Sequence, residues 1–218
     1  LHDALPISGP ERWTGVGNNI ERLQSRFNHL VSFQDGPVAI LIPAMRANRL
    51  LDLVDNIEAV TPEPHRTHIM VKRDTDCHRI LDKHPLVNLH LDDGDTWGHR
   101  LNYMYDMTLE PYVFCGAEDV VFQSGWLRYA LAEMGNMQGV VSVNDKIMAE
   151  GTLPLISRQY IDQYSGCFDT PNVIIYPGYK HNYSETELYR TAWRRGRFKY
   201  AERSVVYHRQ GRIGTYAI

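Results

Sequence analysis

The stretch "YVFCGAEDVVFQSGWL", residues 112–127, sets two adjacent carboxylates, Glu118 and Asp119, between two apolar segments. Charges this close repel unless a cation lies between or near them. A hard divalent ion with oxygen ligands satisfies that need and keeps coordination positions open for phosphate oxygens. The plainer reading is a solvated turn ahead of a helix, and spacing alone leaves both open. A second group is "HNYSETELYRTAWRRG", residues 181–196. Ser184 followed three residues on by Glu187 is a capping box, which starts a helix at Glu185 and has Glu187 bond back to the Ser184 backbone. Leu188 and Ala192 then share a face with Glu185, so Glu185 leads the inward stripe and can point at a cleft. A helix-dipole role for Glu185 is the bland alternative. In "SVVYHRQ", 204–210, a β-branched strand ends in His208. From Leu188 to Ile213 there are eight Arg or Lys (Arg190, Arg194, Arg195, Arg197, Lys199, Arg203, Arg209, Arg212) against one acid, Glu202. Such a basic strip suits a polyanionic partner, although a solvated helix face has the same composition.

The surrounding pattern says what must hold these groups. "VAILI" (38–42) is a short continuous apolar run, as in a strand buried on both faces. "THIMV" (67–71), "VNLHL" (87–91), "YVFC" (112–115) and "GVVSV" (139–143) read as further strands. Helical spacing occupies 49–60, 96–107 and 124–134, the last with Ser124 as a cap. This alternation predicts an α/β domain: a mostly parallel central sheet with helices on both faces, and ligands beyond the carboxyl ends of the strands. "PAMR", "KRDTD" and "GAED" then share one rim.

The bulk properties exclude several classes. With 218 residues, 43% hydrophobic and 22% charged, the chain is an ordinary globular protein with room for a core. Its net charge of −3 gives no overall attraction to nucleic acid or to an anionic membrane surface. Cys77, Cys115 and Cys167 lack metal or disulfide spacing and suit a reducing, cytoplasmic setting. No apolar run reaches the roughly 18–20 residues of a membrane span, and no signal peptide is visible. The opening "LHDALPIS" resembles translated adaptor sequence from an environmental DNA assembly. Residues 1–36 read as a lead-in with a short helix at 20–31, and 37–218 as the functional domain.

The order "VAILIPAMRANRL … GHRLNYMYDMTLEPYVFCGAEDVVFQSGWL … HNYSETELYRTAWRRGRFKYAERSVVYH" resembles the GT-A glycosyltransferases of the family-2 type, most closely small bacteriophage and actinobacterial versions. The resemblance covers residues 37–209. It implies a GT-A (Rossmann-like) domain, a nucleotide-sugar donor such as a UDP-sugar, and a divalent cation, Mn2+ or Mg2+. Aligned through Gly125 and Trp126, Asp119 matches the last acid of an Asp-x-Asp motif and Glu118 the middle position; Ala117 departs from the first. Asp119 is thereby implied as metal ligand and Glu118 as a ligand or ribose contact. Glu185 matches the general base of an inverting enzyme, and His208 a histidine that completes the metal or touches the diphosphate. His181 falls on the acceptor side. Pro43, Arg46, Asp74, Asp76, Arg100 and Asn102 match donor-binding positions. Relatives of this kind glycosylate hydroxymethylated pyrimidines such as 5-hydroxymethylcytosine in phage DNA, which with Arg194, Arg195 and Arg197 makes DNA one expected acceptor. A base in duplex would have to be extruded. Polysaccharide or protein acceptors, or a sugar-nucleotide-binding module without turnover, are the alternatives. A nucleotidyltransferase fits less, since "PAMRANR" lacks a Gly-rich loop.

Overall fold

Val38–Pro43 is buried along its whole length, and its side chains alternate between two cores. Val38, Ile40 and Ile42 enter one apolar cluster, Ala39 and Leu41 the other. A strand apolar on both faces has to lie inside a sheet covered on both sides. The structure, a computed structural model, describes residues 38–73, 75–92, 94, 96–179 and 184–209. All of these fall in the second of two compact units into which the chain divides, Pro37–Ile218. The expected lead-in helix at 20–31 lies outside the described residues.

Eight strands are described: β1 (Val38–Pro43), β2 (His65–Val71), β3 (Asn88–Leu91), β4 (Tyr112–Cys115), β5 (Val120–Phe122), β6 (Val140–Asn144), β7 (Leu153–Ser157) and β8 (Phe198–His208). They form one sheet in the order β3-β2-β1-β4-β7-β6-β8-β5. β1 to β4, β6 and β8 run in one direction, while β7 and β5 run against it. The helices are α1 (Leu50–Val60), α2 (His78–Lys83), α3 (Trp97–Asp106), α4 (Trp126–Met134), α5 (Arg158–Tyr164) and α6 (Ser184–Arg194), with a 3₁₀ turn at Ala47–Arg49. One core packs α1, α2 and α4 on the sheet, centred on Trp126, Phe114 and Phe122; the other packs α3, α5 and α6. This is the expected α/β architecture, a mostly parallel sheet with helices on both faces.

Several details differ from the sequence reading. β7 carries Pro154, which argues against a strand when read alone. β5 is three residues long, and α2 and α5 are too short to show helical periodicity. β8 begins at Phe198, not Ser204, because its first half is charged and its register with β6 is irregular after Val143. Ser124 does not cap α4; Gly125 holds the N-cap in the left-handed region, φ +77°. α6 ends on Gly196, φ +64°, with Gly196 N donating to Trp193 O and Arg197 N to Ala192 O. That double closure is a Schellman motif, and it turns the chain directly into β8.

Candidate functional site

The chain leaves β4 through Gly116, whose N–H donates to Leu41 O at 2.8 Å. A Cβ on Gly116 would lie 2.6 Å from Ile42 Cδ1 and 3.3 Å from Leu41 O, so a side chain here would have to displace the Ile42 methyl. Trp97, from α3, donates Nε1–H to Gly116 O at 3.2 Å and pins the turn. The next two acids then part company. Glu118 faces back to the end of β1, where Oε2 accepts from Met45 N at 2.5 Å and Arg46 N at 2.7 Å, and Oε1 from Arg46 Nε at 2.5 Å. Glu118 was expected as a metal ligand or ribose contact; its carboxylate instead folds the turn that follows β1.

Asp119 faces the end of β8. His208 Nε2 lies 3.2 Å from Asp119 Oδ1, across 89 residues of sequence. The backbones are tied as well, Arg209 N donating to Asp119 O at 2.9 Å and His208 N to Asp145 O at 3.3 Å. Burial works to raise the Asp119 pKa, but the bond and charge of His208, helped by Arg46, outweigh it and hold the carboxyl below its ordinary value. On its other side His208 Nδ1 lies 3.2 Å from Thr152 Oγ1, and that hydroxyl donates to Asp145 Oδ2 at 2.9 Å. Asp145 is fully buried at the end of β6, its Oδ1 accepting from Ile147 N at 2.8 Å and Met148 N at 2.9 Å.

An oxygen and an imidazole nitrogen 3.2 Å apart suit a divalent cation. Two cis ligands about 2.1 Å from an octahedral ion lie roughly 3 Å apart. Among the described residues no three His, Cys, Asp or Glu converge on one point, so the pair would hold the ion with ligands from outside these residues. Donor phosphates are of the right chemistry.

The other expected residues are distributed as follows. Pro43 closes β1, and Ala44 N after it donates to Met70 O at 2.8 Å. Arg46, clamped by Glu118, stays part exposed beside the pair. Arg100 is buried under the β1 turn, donating Nε–H to Gly94 O at 2.9 Å and Nη1–H to Ala44 O at 2.5 Å, while its buried Nη2 has no partner among the described residues. Asn102 departs from the donor-contact expectation: it grips the backbone at Ile174 and Ile175, accepting from both amides and donating to Ile175 O at 2.7 Å. Asp76 is exposed and accepts from His78 N at 3.1 Å, a local turn at the start of α2. Asp74 and His181 lie outside the described residues.

Glu185 sits half-buried in the first turn of α6, with Ser184 Oγ donating to its Oε2 at 3.2 Å. Tyr189, one turn on, is buried with its hydroxyl 3.1 Å from Ser142 Oγ. Burial drives the Tyr189 pKa far up, and the charges of Glu185, Cys115 and Asp145 add to it. Leu188 and Ala192 are buried on the stripe Glu185 leads. Glu187 Oε1 accepts from Phe168 N at 3.3 Å, and Glu187 also bonds Tyr179.

The basic strip is dispersed. Arg195 donates Nη1–H to Tyr160 OH at 3.0 Å and Ser165 O at 2.8 Å, with its guanidinium over Tyr160 and Tyr164. Lys199 bonds Glu133 O, and Arg203 bonds Tyr129 OH. Arg194 and Arg197 flank the turn from α6 into β8, where Val140 N, at the start of β6, donates to Arg197 O at 2.8 Å. His208 is at the opposite end of β8, and eleven residues at about 3.3 Å each make a strand roughly 35 Å long. Arg194, Arg195 and Arg197 therefore cluster around the start of β8, at the opposite end of that strand from His208. Arg212 lies outside the described residues.

Sequence reasoning missed Trp97, Asp145 and Thr152, which bear no motif of their own, and the aromatic group of Phe168, Tyr176 and Tyr179. Phe168 is 79% exposed and Tyr176 42%, and the rings of Tyr176 and Tyr179 meet edge-on at 5.4 Å. Aromatics clustered in "CFDTPNVIIYPGYK" just ahead of Glu185 were the available signal.

No protein-family model matches the chain, and no curated protein matches it in sequence. Solved structures do match in fold. A mannosyltransferase, PcManGT from Pyrobaculum calidifontis, in complex with GDP-Man and Mn2+, superposes with a TM-score of 0.61 at 16% identity, covering 84% of this chain and 59% of that one. S. aureus TarS gives a TM-score of 0.62 at 9% identity, over 79% of this chain and 36% of that one. TarS 1-349 gives 0.60 at 8% identity, over 79% and 60%. The chain thus spans well under two thirds of the length of these proteins. At such identities the likeness is one of fold, and that fold, GT-A-like α/β, is the one these glycosyltransferases use.

Proposed function

We propose that the chain is a metal-dependent inverting glycosyltransferase that moves a sugar from a nucleotide-sugar to an acceptor hydroxyl. The observation that carries this reading is the Asp119–His208 pair, 3.2 Å apart at the carboxyl-terminal rim of a sheet shared with a mannosyltransferase that binds GDP-Man and Mn2+. When bound, the cation supplies charge neutralisation for the departing diphosphate. Asp119 and His208 hold it. Glu118 fixes the turn after β1, where Arg46 and the backbone following Pro43 receive the nucleotide. The Glu185 carboxylate takes the proton of the acceptor hydroxyl as that oxygen bonds the anomeric carbon. The bond to the diphosphate breaks on the opposite face, its electron pair leaves with the phosphate oxygen, and the configuration inverts.

For the acceptor, the exposed rings of Phe168 and Tyr176, held by Glu187 and Asn102 beside the start of α6, favour a carbohydrate, whose C–H faces pack on aromatic rings. A duplex DNA acceptor was expected from the basic strip over 188–213, of which Arg194, Arg195 and Arg197 lie around the start of β8 and Arg209 beside the Asp119–His208 pair. The test incubates the protein with Mn2+ and a panel of UDP- and GDP-sugars, with oligosaccharides or hydroxymethylated DNA as acceptor, and reads products by mass spectrometry. A mass increment on an oligosaccharide supports the reading. An increment only on DNA restores the nucleic-acid acceptor, and donor binding without transfer or hydrolysis leaves a binding module.

A further inference from the structure

The bonds behind His208 fix which of its nitrogens faces Asp119. Asp145 is a carboxylate with three donors aimed at it: Ile147 N and Met148 N on Oδ1, Thr152 Oγ1 on Oδ2. Thr152 has one hydroxyl hydrogen, and it lies on Asp145. Toward His208 Nδ1, at 3.2 Å, Thr152 therefore offers only a lone pair, so Nδ1 carries the hydrogen. In the neutral ring Nε2 is then left with its lone pair directed at Asp119 Oδ1, 3.2 Å away. Two electron-rich atoms at that separation repel unless something positive lies between them, either a proton that Nε2 donates to Asp119 or a cation in its place. The frame behind Thr152 is stiff. Ser142 Oγ donates to Glu150 O, and Gly151, at φ +66°, lies so close to Val143 O that a side chain would collide with it. Ser142 and Asp145 are both fully buried.

We propose that Asp145 and Thr152 are positioning residues that lock His208 in the Nδ1–H form and so present Nε2, with Asp119, as a ready divalent-cation site. This rests on the metal reading given above. Histidines that bind metals commonly donate the other ring N–H to an oxygen, which fixes tautomer and ring orientation, and losing that partner typically costs 10–100-fold in metal affinity. The chain reaches this arrangement with a neutral hydroxyl between ring and carboxylate. Thr152→Val keeps the shape and removes the acceptor. Thr152→Ser keeps the acceptor.

Mn2+ is titrated into each protein and followed by electron paramagnetic resonance, alone and with UDP or GDP present. Circular dichroism confirms that each variant is folded. Thr152→Val is expected to bind Mn2+ about 10–100-fold more weakly and Thr152→Ser to stay near wild type. In a donor hydrolysis assay the Mn2+ activation constant of Thr152→Val rises while kcat at saturating Mn2+ is retained, a split that a general structural defect does not produce. Equal Mn2+ affinity in wild type and Thr152→Val overturns the positioning role alone. A wild-type protein that binds no Mn2+ with either nucleotide overturns the metal reading along with it.

Discussion

Glu118 and Asp119 are neighbours in the chain and point at different partners, which separates their tasks experimentally. Asp119→Ala is expected to lower transfer at least about 100-fold and abolish Mn2+ binding, since His208 cannot hold the ion alone. Glu118→Ala leaves Met45 N and Arg46 N without acceptors. It should lower stability by about 1–3 kcal/mol in urea unfolding while the isolated Asp119–His208 pair still takes up Mn2+. A stable Glu118→Ala protein that has lost Mn2+ would make Glu118 a ligand after all. For the glutamates of α6, Glu185→Gln should remove turnover by about 100-fold or more and spare nucleotide binding. Glu187→Gln keeps an oxygen for Phe168 N and should be mild. If steady-state kinetics reverse that order, the base is misassigned. The acidic pair was legible because two adjacent charges between apolar runs demand an explanation. Their division of labour was not, because it depends on which strand end each faces. Thr152 and Asp145 were invisible, since a hydroxyl and a buried carboxylate become a relay only when β6, β7 and β8 meet.

At the scale of elements, α3 and α6 act as braces whose polar residues reach loops rather than solvent. Trp97 and Arg100 of α3 hold the turns after β4 and β1, and Asn102 grips the segment at 174–175. The turn beyond α6 locks that helix to α5 through Arg195. Arg195→Ala, losing bonds to Tyr160 and Ser165 and its place over two rings, should destabilise the fold by about 1–3 kcal/mol and leave the acceptor Michaelis constant unchanged. Arg194→Ser should change neither. A raised Michaelis constant in either variant at normal stability returns the basic strip to the acceptor site. The long parallel strands were readable because burial on both faces leaves continuous apolar runs. β5, β7 and the charged half of β8 were not, because a short strand or one carrying proline shows no period, and β8 buries only three of its eleven residues.

For the whole molecule, acid stability is set partly by a pair far from the chemistry. His90 Nε2 lies 3.1 Å from His68 Nδ1, and burial first, then the charge of His68, lowers the His90 pKa to about 4. Between the ordinary value of 6.5 and about 4 the unfolded chain binds a proton that the folded chain refuses, so stability falls as pH drops through that window and levels below it. Thermal melts of His90→Asn should show a flatter acid limb; an unchanged limb assigns the loss to other groups. The strand order has a consequence of another kind, in time. β5, at 120–122, pairs with β8, at 198–208, and β8 also flanks β6. A chain emerging from the ribosome thus presents β5 unpaired for about eighty residues more and one edge of β6 for about fifty-five. Those open edges are the surface by which two half-made copies would join, and the interval before β8 arrives is when a chaperone has most to cover.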